Sequence, residues 1–395
     1  MYKLHIIHCL ISCSVISFIS ATINPVIYEE QILWVSGQQA EIKEYRTPIL
    51  IRTPPGDILA FAAGRKVSGG DASAKMITMR RSTDGGSNFH TTEVIVDDGD
   101  ATPDGLNLGN IIIDKEKGSI IILYCFCVRD RCIPSRPAST FMTRSFDWGY
   151  SWTPPVDLGV KSKDFEGWHW CPGPGYGIQK MHAPKKGRLI ACGHSGVFAT
   201  MIMTCIYSDD HGDTWHKGAH AVGLPYGVDK KTGDFSPGEP QMIELPNGTL
   251  LCSVRNEKHY HCKCRMWFTS TDGGHTFPIE QLRMDATLVD PPCQGSLLLH
   301  NNITFFSNPA SESQRVNMTL RWSFDYGMTW SGFLNVYSKG SEYSCLTSID
   351  DNHLGLLYER DGYKEISFAK IRLYADGYRS SKKALQYNSK KVGLT

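Results

Sequence analysis

The sequence lacks an excess of charge of either sign. Its 395 residues include 41 Lys and Arg against 40 Asp and Glu, which leaves a formal net charge of +1. Proteins that bind nucleic acid through their overall electrostatics carry a marked basic surplus. The composition therefore gives no indication of a nucleic-acid partner, although a local cluster of cations stays open.

Long apolar runs are also scarce. One run, Ile6 to Ile19, follows Lys3 and precedes Ser20-Ala21, which is the pattern of a secretory signal peptide. This run is too short for a membrane span, and no later window approaches the roughly 18 apolar residues that a spanning helix needs. We therefore expect residues 1–21 to be a signal peptide and the mature chain to be lumenal or extracellular, with no stable membrane span.

Cysteine and glycosylation signals fit that compartment. Two of the 13 cysteines, Cys9 and Cys13, lie in the predicted signal peptide, and the remaining number is odd. An odd number leaves at least one free thiol or an intermolecular bridge, and the pairing stays open. Asn247, Asn302 and Asn317 each begin an Asn-x-Thr glycosylation acceptor.

No long stretch of the sequence has a convincing helical period. Short apolar runs recur instead, separated by Gly, Pro, Asn and Asp at spacings of roughly 8 to 15 residues. These runs are Ile49–Ile51, Ile58–Ala62, Ile111–Ile113, Ile120–Cys127, Leu189–Cys192, Leu250–Val254 and Ile303–Phe306. Turn-forming triplets such as Pro55-Gly56-Asp57 lie between such runs, so the pattern predicts an all-β meander.

An octet with the skeleton Ser-x-Asp-x-Gly-x-x-aromatic occurs five times. The copies are Ser82–Phe89, Ser145–Trp152, Ser208–Trp215, Ser270–Phe277 and Ser323–Trp330, and successive copies begin 53 to 63 residues apart. Ser and Asp hydrogen-bond nearby backbone, Gly takes a positive φ, and the aromatic ring fills an apolar gap, so each octet predicts a hairpin turn. Repeats of about 60 residues predict a six-bladed β-propeller, with five blades marked by an octet.

The unmarked blade is predicted from the end of the chain. Strands over Leu354–Tyr358 and Ile366–Leu373 would be closed by a strand from near Ile27 to Trp34. Such closure removes free sheet edges. We therefore predict one propeller domain over residues 22–376 and a polar carboxy-terminal tail over residues 377–395.

Two local patterns resemble cofactor sites. The cluster His259-Tyr-His261-Cys262-Lys-Cys264 suggests zinc, but alternation along a strand would put its histidines and its cysteines on opposite faces. The run Gly173-Pro-Gly175-Tyr-Gly177 resembles a dinucleotide loop but lacks a βαβ context, so it is interpreted as a turn at a pocket edge. We predict neither a metal nor a cofactor.

Further motifs stand in a fixed order among the octets. They are Tyr45-Arg46-Thr47-Pro48, Gly64-Arg65-Lys66 with Asp71 beyond it, Asp104–Gly109, Gly173–Gln179, Pro237–Gln241 with Arg255 beyond it, Gln314–Asn317 and Glu342-Tyr343-Ser344. By this set the chain resembles the sialidase superfamily, and most closely the animal lysosomal sialidases, over roughly residues 40–375. The resemblance implies the six-bladed sialidase propeller, in which the octets are called Asp boxes or BNR repeats.

The resemblance implies an exo-α-sialidase that hydrolyses terminal sialic acid from glycoproteins, oligosaccharides and glycolipids. Arg46, Arg255 and Arg315 would clamp the substrate carboxylate. A planar guanidinium suits that task because it stays charged and binds a carboxylate with two hydrogen bonds. Glu359 would hold Arg46 in place, since a buried charge needs a partner.

The same resemblance assigns the reacting groups. Tyr343 matches the family's nucleophile and Glu239 its base, because a phenol that titrates near pH 10 needs a carboxylate to accept its proton. A tyrosine also avoids repulsion from the substrate's own carboxylate, and sialidases are exceptions to the two-carboxylate pattern of glycosidases. Asp71, after the flexible run Ser68-Gly69-Gly70, would be the general acid and base. The tyrosine nucleophile implied by the resemblance would give retention through a covalent tyrosyl intermediate.

Three further positions qualify the resemblance. Arg65 and Asn107 would face the glycerol or N-acyl side of the sugar. Relatives usually carry glutamate two positions before the arginine matched by Arg65, whereas this chain has Ala63. Asn317 lies two residues after Arg315, so strand alternation would put a glycan acceptor and an arginine on one face.

Two other functions fit the same repeats. One is a non-catalytic sialic-acid-binding propeller lectin, because the octets specify only hairpins. The other is a trans-sialidase, which passes the sugar to an acceptor. Linkage preference and homo-oligomerisation stay open.

The resemblance also implies a location and a partner. Lysosomal relatives reside in the lysosomal lumen, but Lys391–Thr395 lacks their tyrosine-based tetrapeptide ending, so secretion is the alternative. Those relatives work with a protective serine carboxypeptidase. That enzyme is the candidate protein partner here, beside the sialylated glycoconjugate substrate.

Overall fold

The computed structural model describes residues 23–39, 42–67, 74–97, 105–127, 139–161, 170–195, 202–221 and 235–374. Nearly every regular element in these ranges is a β-strand. The exceptions are helix α1 (Leu158–Lys161) and a 3₁₀ helix (Ile279–Gln281). Within the same ranges, no helix is long and apolar enough to cross a membrane. The predicted signal peptide and the tail over residues 377–395 lie outside the described residues.

The strands are numbered in chain order. The first nine are β1 (Val26–Val35), β2 (Glu44–Arg52), β3 (Ile58–Arg65), β4 (Lys75–Ser82), β5 (Glu93–Asp97), β6 (Gly105–Asp114), β7 (Ser119–Cys127), β8 (Ser139–Ser145) and β9 (Val156–Asp157). The next eight are β10 (Trp170–Pro172), β11 (Gly175–Tyr176), β12 (Ile178–Gln179), β13 (Leu189–Ser195), β14 (Ile202–Ser208), β15 (His216–His220), β16 (Pro237–Glu244) and β17 (Leu250–Asn256). The last eight are β18 (Cys264–Ser270), β19 (Arg283–Val289), β20 (Ser296–His300), β21 (Ile303–Pro309), β22 (Val316–Ser323), β23 (Gly332–Asp350), β24 (His353–Arg360) and β25 (Glu365–Arg372). All seven apolar runs named from the sequence lie in these strands.

The strands form five hydrogen-bonded sheets. Two are four-stranded meanders, β2-β3-β4-β5 and β16-β17-β18-β19. Two have five strands: β11-β6-β7-β8-β9, and β10-β13-β14-β15 with β12 also paired to β13. The seven-stranded sheet has the order β1-β25-β24-β23-β22-β21-β20. The predicted all-β, propeller-like arrangement is therefore confirmed.

The first strand of the chain completes the last sheet. β1 pairs antiparallel with β25, with Ile27 opposite Ile371 and Trp34 opposite Ile366. This closure is the one predicted from the sequence. It joins the two ends of the described fold and covers the edge that β25 would otherwise present to solvent.

Strand β23 belongs to two meanders at once. Its first half pairs with β22, where Gly332 lies opposite Trp322. Its second half pairs with β24, where Ser344 lies opposite Tyr358. The single 19-residue strand therefore links the meander β20–β22 to the meander of β24, β25 and β1.

Apolar clusters lie between neighbouring sheets. Ile121 and Leu123 of the β6–β9 sheet share one cluster with Leu189 and Ile206 of the next sheet. A second cluster lies between the β13–β15 strands and the β16–β19 sheet. A third lies between the β16–β19 sheet and the β20–β22 strands. The burial of these faces excludes water between the sheets and supplies the main drive for their association.

All five octets close a turn by the same hydrogen bonds. The serine hydroxyl donates to the aspartate at 2.7 or 2.8 Å and accepts the amide of the glycine at 2.6 to 3.0 Å. That glycine has a φ between 79° and 93° in every copy, a conformation that side chains with a Cβ rarely adopt. The predicted turn chemistry is confirmed in each copy.

Buried arginines fasten three octets to a neighbouring sheet. Arg81 donates to the carbonyl of Trp148 at 3.1 Å, Arg144 donates to the carbonyl of His211, and Arg188 donates to the carbonyl of Gly273 at 3.1 Å. Each of these arginines, which we call the octet arginines, also forms an ion pair with an aspartate. They satisfy backbone carbonyls that burial would otherwise leave without a partner.

Candidate active site

The phenol of Tyr343 is the centre of a cluster of charged side chains. Its hydroxyl donates a hydrogen bond to Oε1 of Glu239 and lies 3.1 Å from Nη1 of Arg255. The same Nη1 atom donates to Oε2 of Glu239 at 2.6 Å. A phenol, a carboxylate and a guanidinium from two different sheets thus form one closed triangle.

Glu359 joins three parts of this cluster. Its Oε1 accepts Nε of Arg46 at 3.0 Å and the amide of Thr47 at 2.8 Å, while its Oε2 accepts the amide of Tyr343 at 2.9 Å. The Glu359 side chain is fully buried. A buried carboxylate with three donors is well satisfied, and it fixes Arg46 relative to the Tyr343 backbone.

Arg315 completes the arginine set. Its Nη1 donates to the hydroxyl of Tyr363 at 3.0 Å and its Nη2 donates to the carbonyl of Pro292 at 3.1 Å. The Cζ atoms of Arg315 and Arg46 lie 5.6 and 5.9 Å from the centre of the Tyr343 ring. The structure therefore brings the three predicted arginines together around Tyr343.

Irregular backbone directs the side chains of this cluster. The pairing register shifts by one residue between Arg46 and Ile49, between Gly238 and Gln241, and between Ser341 and Ser344. Such β-bulges leave an extra residue on one strand and re-aim the side chains beside it. Arg46, Glu239 and Tyr343 all lie at a bulge, so strand alternation alone does not give their directions.

Positive φ angles accompany two of the bulges. Thr47 has a φ of 59° and Glu239 a φ of 40°, although neither is glycine. Backbone strain of this kind costs roughly 1–3 kcal/mol and persists where the surroundings enforce it. Here the Glu359 carboxylate binds the amide of Thr47, and Arg255 with Tyr343 binds the side chain of Glu239.

Opposing effects set the protonation states of Tyr343 and Glu239. Burial and the Glu239 carboxylate raise the pKa of Tyr343 well above its ordinary value, against the effect of Arg255 and Arg315. Burial alone would raise the pKa of Glu239, but Arg255 and the hydrogen bond from Tyr343 hold that pKa below its ordinary value. The resting pair is therefore a neutral phenol hydrogen-bonded to an ionised carboxylate.

Arg255 has a second acidic partner. Nη2 donates to Oε1 of Glu257 at 2.9 Å, and Nε lies 2.6 Å from Oε2 of the same residue. The two glutamates, Glu239 and Glu257, thus bind Arg255 from both sides. Burial and the nearby Glu239 raise the pKa of Glu257, while Arg255 works against them.

Strand pairing gives the positions of two of the remaining predicted residues. Arg65 ends β3 opposite Glu44, while Ala63 lies opposite Arg46 on the adjoining strand. Asn107 lies on β6 opposite Cys125. Asp71 lies outside the described residues. The parts assigned to these three residues stay predictions.

Three residues of the cluster were not predicted from the sequence. Glu257 follows Arg255 by two positions, and the period of a strand could have suggested a shared face. Tyr363 lies in the turn between β24 and β25, where no pattern singles it out. Glu342 precedes Tyr343 within the matched motif, yet alternation would have placed it on the opposite face.

Two sequence-based interpretations need correction. His259–Lys263 is a turn that precedes β18, not a strand, and Cys262 is joined by a disulfide to Cys264, the first residue of β18. The strand-alternation argument against zinc there was therefore wrong. The strand alternation that would put Asn317 and Arg315 on one face is also broken. Asn317 has a φ of 63°, and the pairing register shifts between Val316 and Met318.

Comparison with known proteins gives a consistent class. A family model described as a BNR repeat-like domain matches residues 56–358. A sialidase of Micromonospora viridifaciens is 32% identical over 359 residues, which cover 84% of this chain and 52% of that protein. The chain thus spans about half the length of this curated relative.

Solved structures agree on the fold. A Hadza microbial sialidase superposes with a TM-score of 0.70 at 25% identity, covering 84% of this chain and 66% of that one. The intramolecular trans-sialidase from Ruminococcus gnavus, solved with oseltamivir carboxylate, superposes with a TM-score of 0.72 at 17% identity, covering 86% and 96%. Fold, repeats and site together define an all-β propeller-like protein of the BNR type. The chain belongs to the sialidase superfamily.

Proposed function

We propose that the chain is an exo-α-sialidase, a glycoside hydrolase that removes terminal sialic acid from glycoproteins, oligosaccharides and glycolipids. The observation that carries this proposal is the hydrogen bond from Tyr343 to Glu239 inside a ring of three arginines. Three guanidinium groups suit a substrate with a carboxylate. A phenol in contact with a base suits attack at the carbon that bears that carboxylate.

The proposed reaction proceeds with retention through a tyrosyl intermediate. Arg46, Arg255 and Arg315 would hold the substrate carboxylate, and Tyr343 would attack the anomeric carbon as its proton passes to Glu239. The raised pKa of Tyr343 and the lowered pKa of Glu239 support a proton transfer that accompanies bond formation rather than precedes it. Asp71 would protonate the leaving oxygen and then activate the water that hydrolyses the intermediate.

Three further residues have supporting roles in this proposal. Glu359 would keep Arg46 aligned, as the hydrogen bond between them supports. Arg65 and Asn107 would face the glycerol or N-acyl side of the sugar.

We also propose that the two meanders that share β23 count as separate blades. Together with the other four sheets they give a six-bladed propeller whose octets are Asp boxes.

The decisive experiment measures products from a sialoside. We expect the purified chain to release free sialic acid from a fluorogenic α-sialoside, and Tyr343→Phe to lower turnover by about 10²- to 10⁴-fold while the protein stays folded. Proton NMR during the reaction should show the α-anomer first, because two displacements retain configuration. Wild-type turnover by Tyr343→Phe would contradict the assignment of the nucleophile.

Two alternatives are separated by the same assay. A sialic-acid-binding lectin would bind the sialoside without releasing sialic acid. A trans-sialidase would transfer the sugar to excess lactose instead of to water, an outcome made relevant by the fold shared with the Ruminococcus gnavus enzyme. Free sialic acid as the main product in the presence of lactose supports hydrolysis.

Location and partner are part of the proposal. We propose residence in the lysosomal lumen, with secretion as the alternative, and a protective serine carboxypeptidase as a protein partner. Both rest on the resemblance to the lysosomal animal enzymes. Co-fractionation of the tagged chain with lysosomal markers, and co-purification with a serine carboxypeptidase, test the two statements separately.

A further inference from the structure

Glu342 lies beside Tyr343 and has no part in the proposed reaction. The residue is 4% exposed, and its Oε2 atom is buried with no hydrogen-bond partner among the described residues. An ionised carboxylate in that position would lose hydration at this oxygen and gain no hydrogen bond in return. The environment therefore favours the neutral acid.

The bulge in β23 explains why this side chain is buried. Ser341 lies opposite Arg360, and Ser344 lies opposite Tyr358. Glu342 and Tyr343 therefore lie together opposite a single residue of β24, Glu359. An extra residue in a strand interrupts the alternation of side chains. Glu342 consequently stays near the site instead of pointing to solvent.

Charged and titratable groups face Glu342 from several elements. Arg46 lies on β2, Arg315 just before β22, and Glu359 on β24, while Asp361 and Tyr363 lie in the turn between β24 and β25. Burial first, and then the Glu359 carboxylate, raise the pKa of Glu342 to about 8 against the opposing effect of the two arginines. Glu342 is thus neutral at pH 5 to 7 and ionised at pH 9.

We propose that Glu342 is a further ligand-binding residue of this site: as a neutral acid it receives an anionic ligand group beside Arg46 and Arg315, and as a carboxylate it excludes that group. The reason is electrostatic. An ionised Glu342 would itself neutralise the two arginines and repel a second carboxylate in the same low-dielectric space. The proposal rests on the proposed function, because it requires that these arginines bind a ligand carboxylate.

The test is the pH dependence of ligand affinity. The probe is 2,3-dehydro-N-acetylneuraminic acid, titrated by calorimetry between pH 5 and pH 9.5 in two buffers of different ionisation enthalpy. For the wild-type chain we expect constant affinity up to about pH 7, a fall of about tenfold per pH unit above about pH 8, and uptake of up to one proton per ligand at pH 9. For Glu342→Gln, which is neutral at every pH, we expect no such fall.

A matched variant identifies the titrating group. Glu257 is another partly buried glutamate with a raised pKa, but it contacts Arg255 instead of facing Arg46. We expect Glu257→Gln to keep the alkaline fall of the wild-type chain. A fall that persists in Glu342→Gln, or one that disappears only in Glu257→Gln, overturns the proposal.

Proton uptake by the wild-type chain needs no variant and covers the case in which Glu342→Gln does not fold. Absence of proton uptake at pH 9 overturns the role of Glu342. Sialoside turnover at pH 5 reports on the enzyme function separately. Turnover together with pH-independent binding overturns only the inference on Glu342, whereas pH-linked binding without turnover overturns only the proposed activity.

Discussion

Two sets of arginines, one buried and one half-buried, occur in the described fold, and their partners differ. The octet arginines bind backbone carbonyls of a neighbouring sheet together with an aspartate, as Arg188 does with Gly273 and Asp209. The arginines of the site, Arg46, Arg255 and Arg315, instead surround the ring and hydroxyl of Tyr343. One set connects sheets, and the other presents positive charge to one phenol.

The difference teaches that residue type and an acidic partner do not separate structure from function. Arg188 is paired with Asp209 much as Arg255 is paired with Glu239. What distinguishes the site is the nearby phenol with a raised pKa and the carboxylate that accepts its proton. Perturbed titratable pairs of this kind cluster at functional sites.

The largest effect is expected from a substitution among the three arginines of the site. Arg315→Lys removes a planar guanidinium that binds two acceptors, and lysine cannot reproduce that geometry. We expect kcat/KM for an α-sialoside to fall by about 100-fold or more, with little change in the thermal unfolding midpoint. Steady-state kinetics and a thermal melt measure the two quantities. Unchanged kinetics would place Arg315 with the structural arginines.

The second-largest effect is expected from a substitution among the octet arginines. Arg188 binds both oxygens of Asp209 at 2.7 Å, from Nε and from Nη2. We expect Arg188→Lys to lower the free energy of unfolding by about 1.5–3 kcal/mol, because a bidentate charged contact and a carbonyl bond are lost. Urea titration measures this loss. The kcat/KM of the folded fraction should stay within about twofold of wild type, and a larger drop would link this octet to the site.

A smaller effect is expected at Tyr363, which touches two site arginines. Its ring centre lies 3.6 Å from Cζ of Arg46, and its hydroxyl accepts Nη1 of Arg315. Tyr363→Phe removes only the hydrogen bond, so we expect KM to rise by about two- to tenfold with kcat nearly unchanged. Tyr363→Ala removes the ring as well and should raise KM further. Equal KM values for the two variants would show that the ring contact contributes nothing.

The smallest effect is expected at an exposed octet aspartate. Burial opposes ionisation of Asp147, but the hydrogen bonds from Ser151 and Ser145 together outweigh it and hold its pKa at about 2. A carboxyl whose pKa is lower in the folded state adds stability above its unfolded pKa and loses it as the pH falls. We expect Asp147→Asn to cost a few tenths of a kcal/mol at pH 5, and this difference to be strongly reduced at pH 2, where the folded carboxyl is half protonated. Urea titrations at both pH values measure it, and a constant difference would contradict the pKa shift.

The sequence was sufficient for the features that are local and repeated. Apolar runs between turn residues gave the strands, and the octets gave turns whose hydrogen bonds are all formed. The pairing of β1 with β25 was also predicted, because the unmarked strands at the end of the chain needed a partner. The order of the motifs predicted that Arg46, Arg255 and Arg315 belong to one carboxylate-binding set.

The rest depended on backbone irregularity that a periodic pattern does not contain. A bulge shifts the register by one residue, so strand alternation does not give the directions of side chains such as Glu342 and Asn317 beside it. Tyr363 reaches the site from a turn in which Asp361, Gly362 and Tyr363 all have positive φ angles. Only the folded backbone shows which arginine such a side chain meets.

The three hydrogen bonds of Glu359 have a consequence for biosynthesis. This carboxylate comes from the penultimate strand, yet it aligns Arg46 from the second strand and the Tyr343 amide from the twenty-third. A nascent chain that has not yet released residue 359 from the ribosome therefore lacks the group that orients its first arginine. Alignment of Arg46 with the Tyr343 backbone therefore waits until residue 359 has been made, and translation products that stop before it are expected to lack an ordered charged cluster.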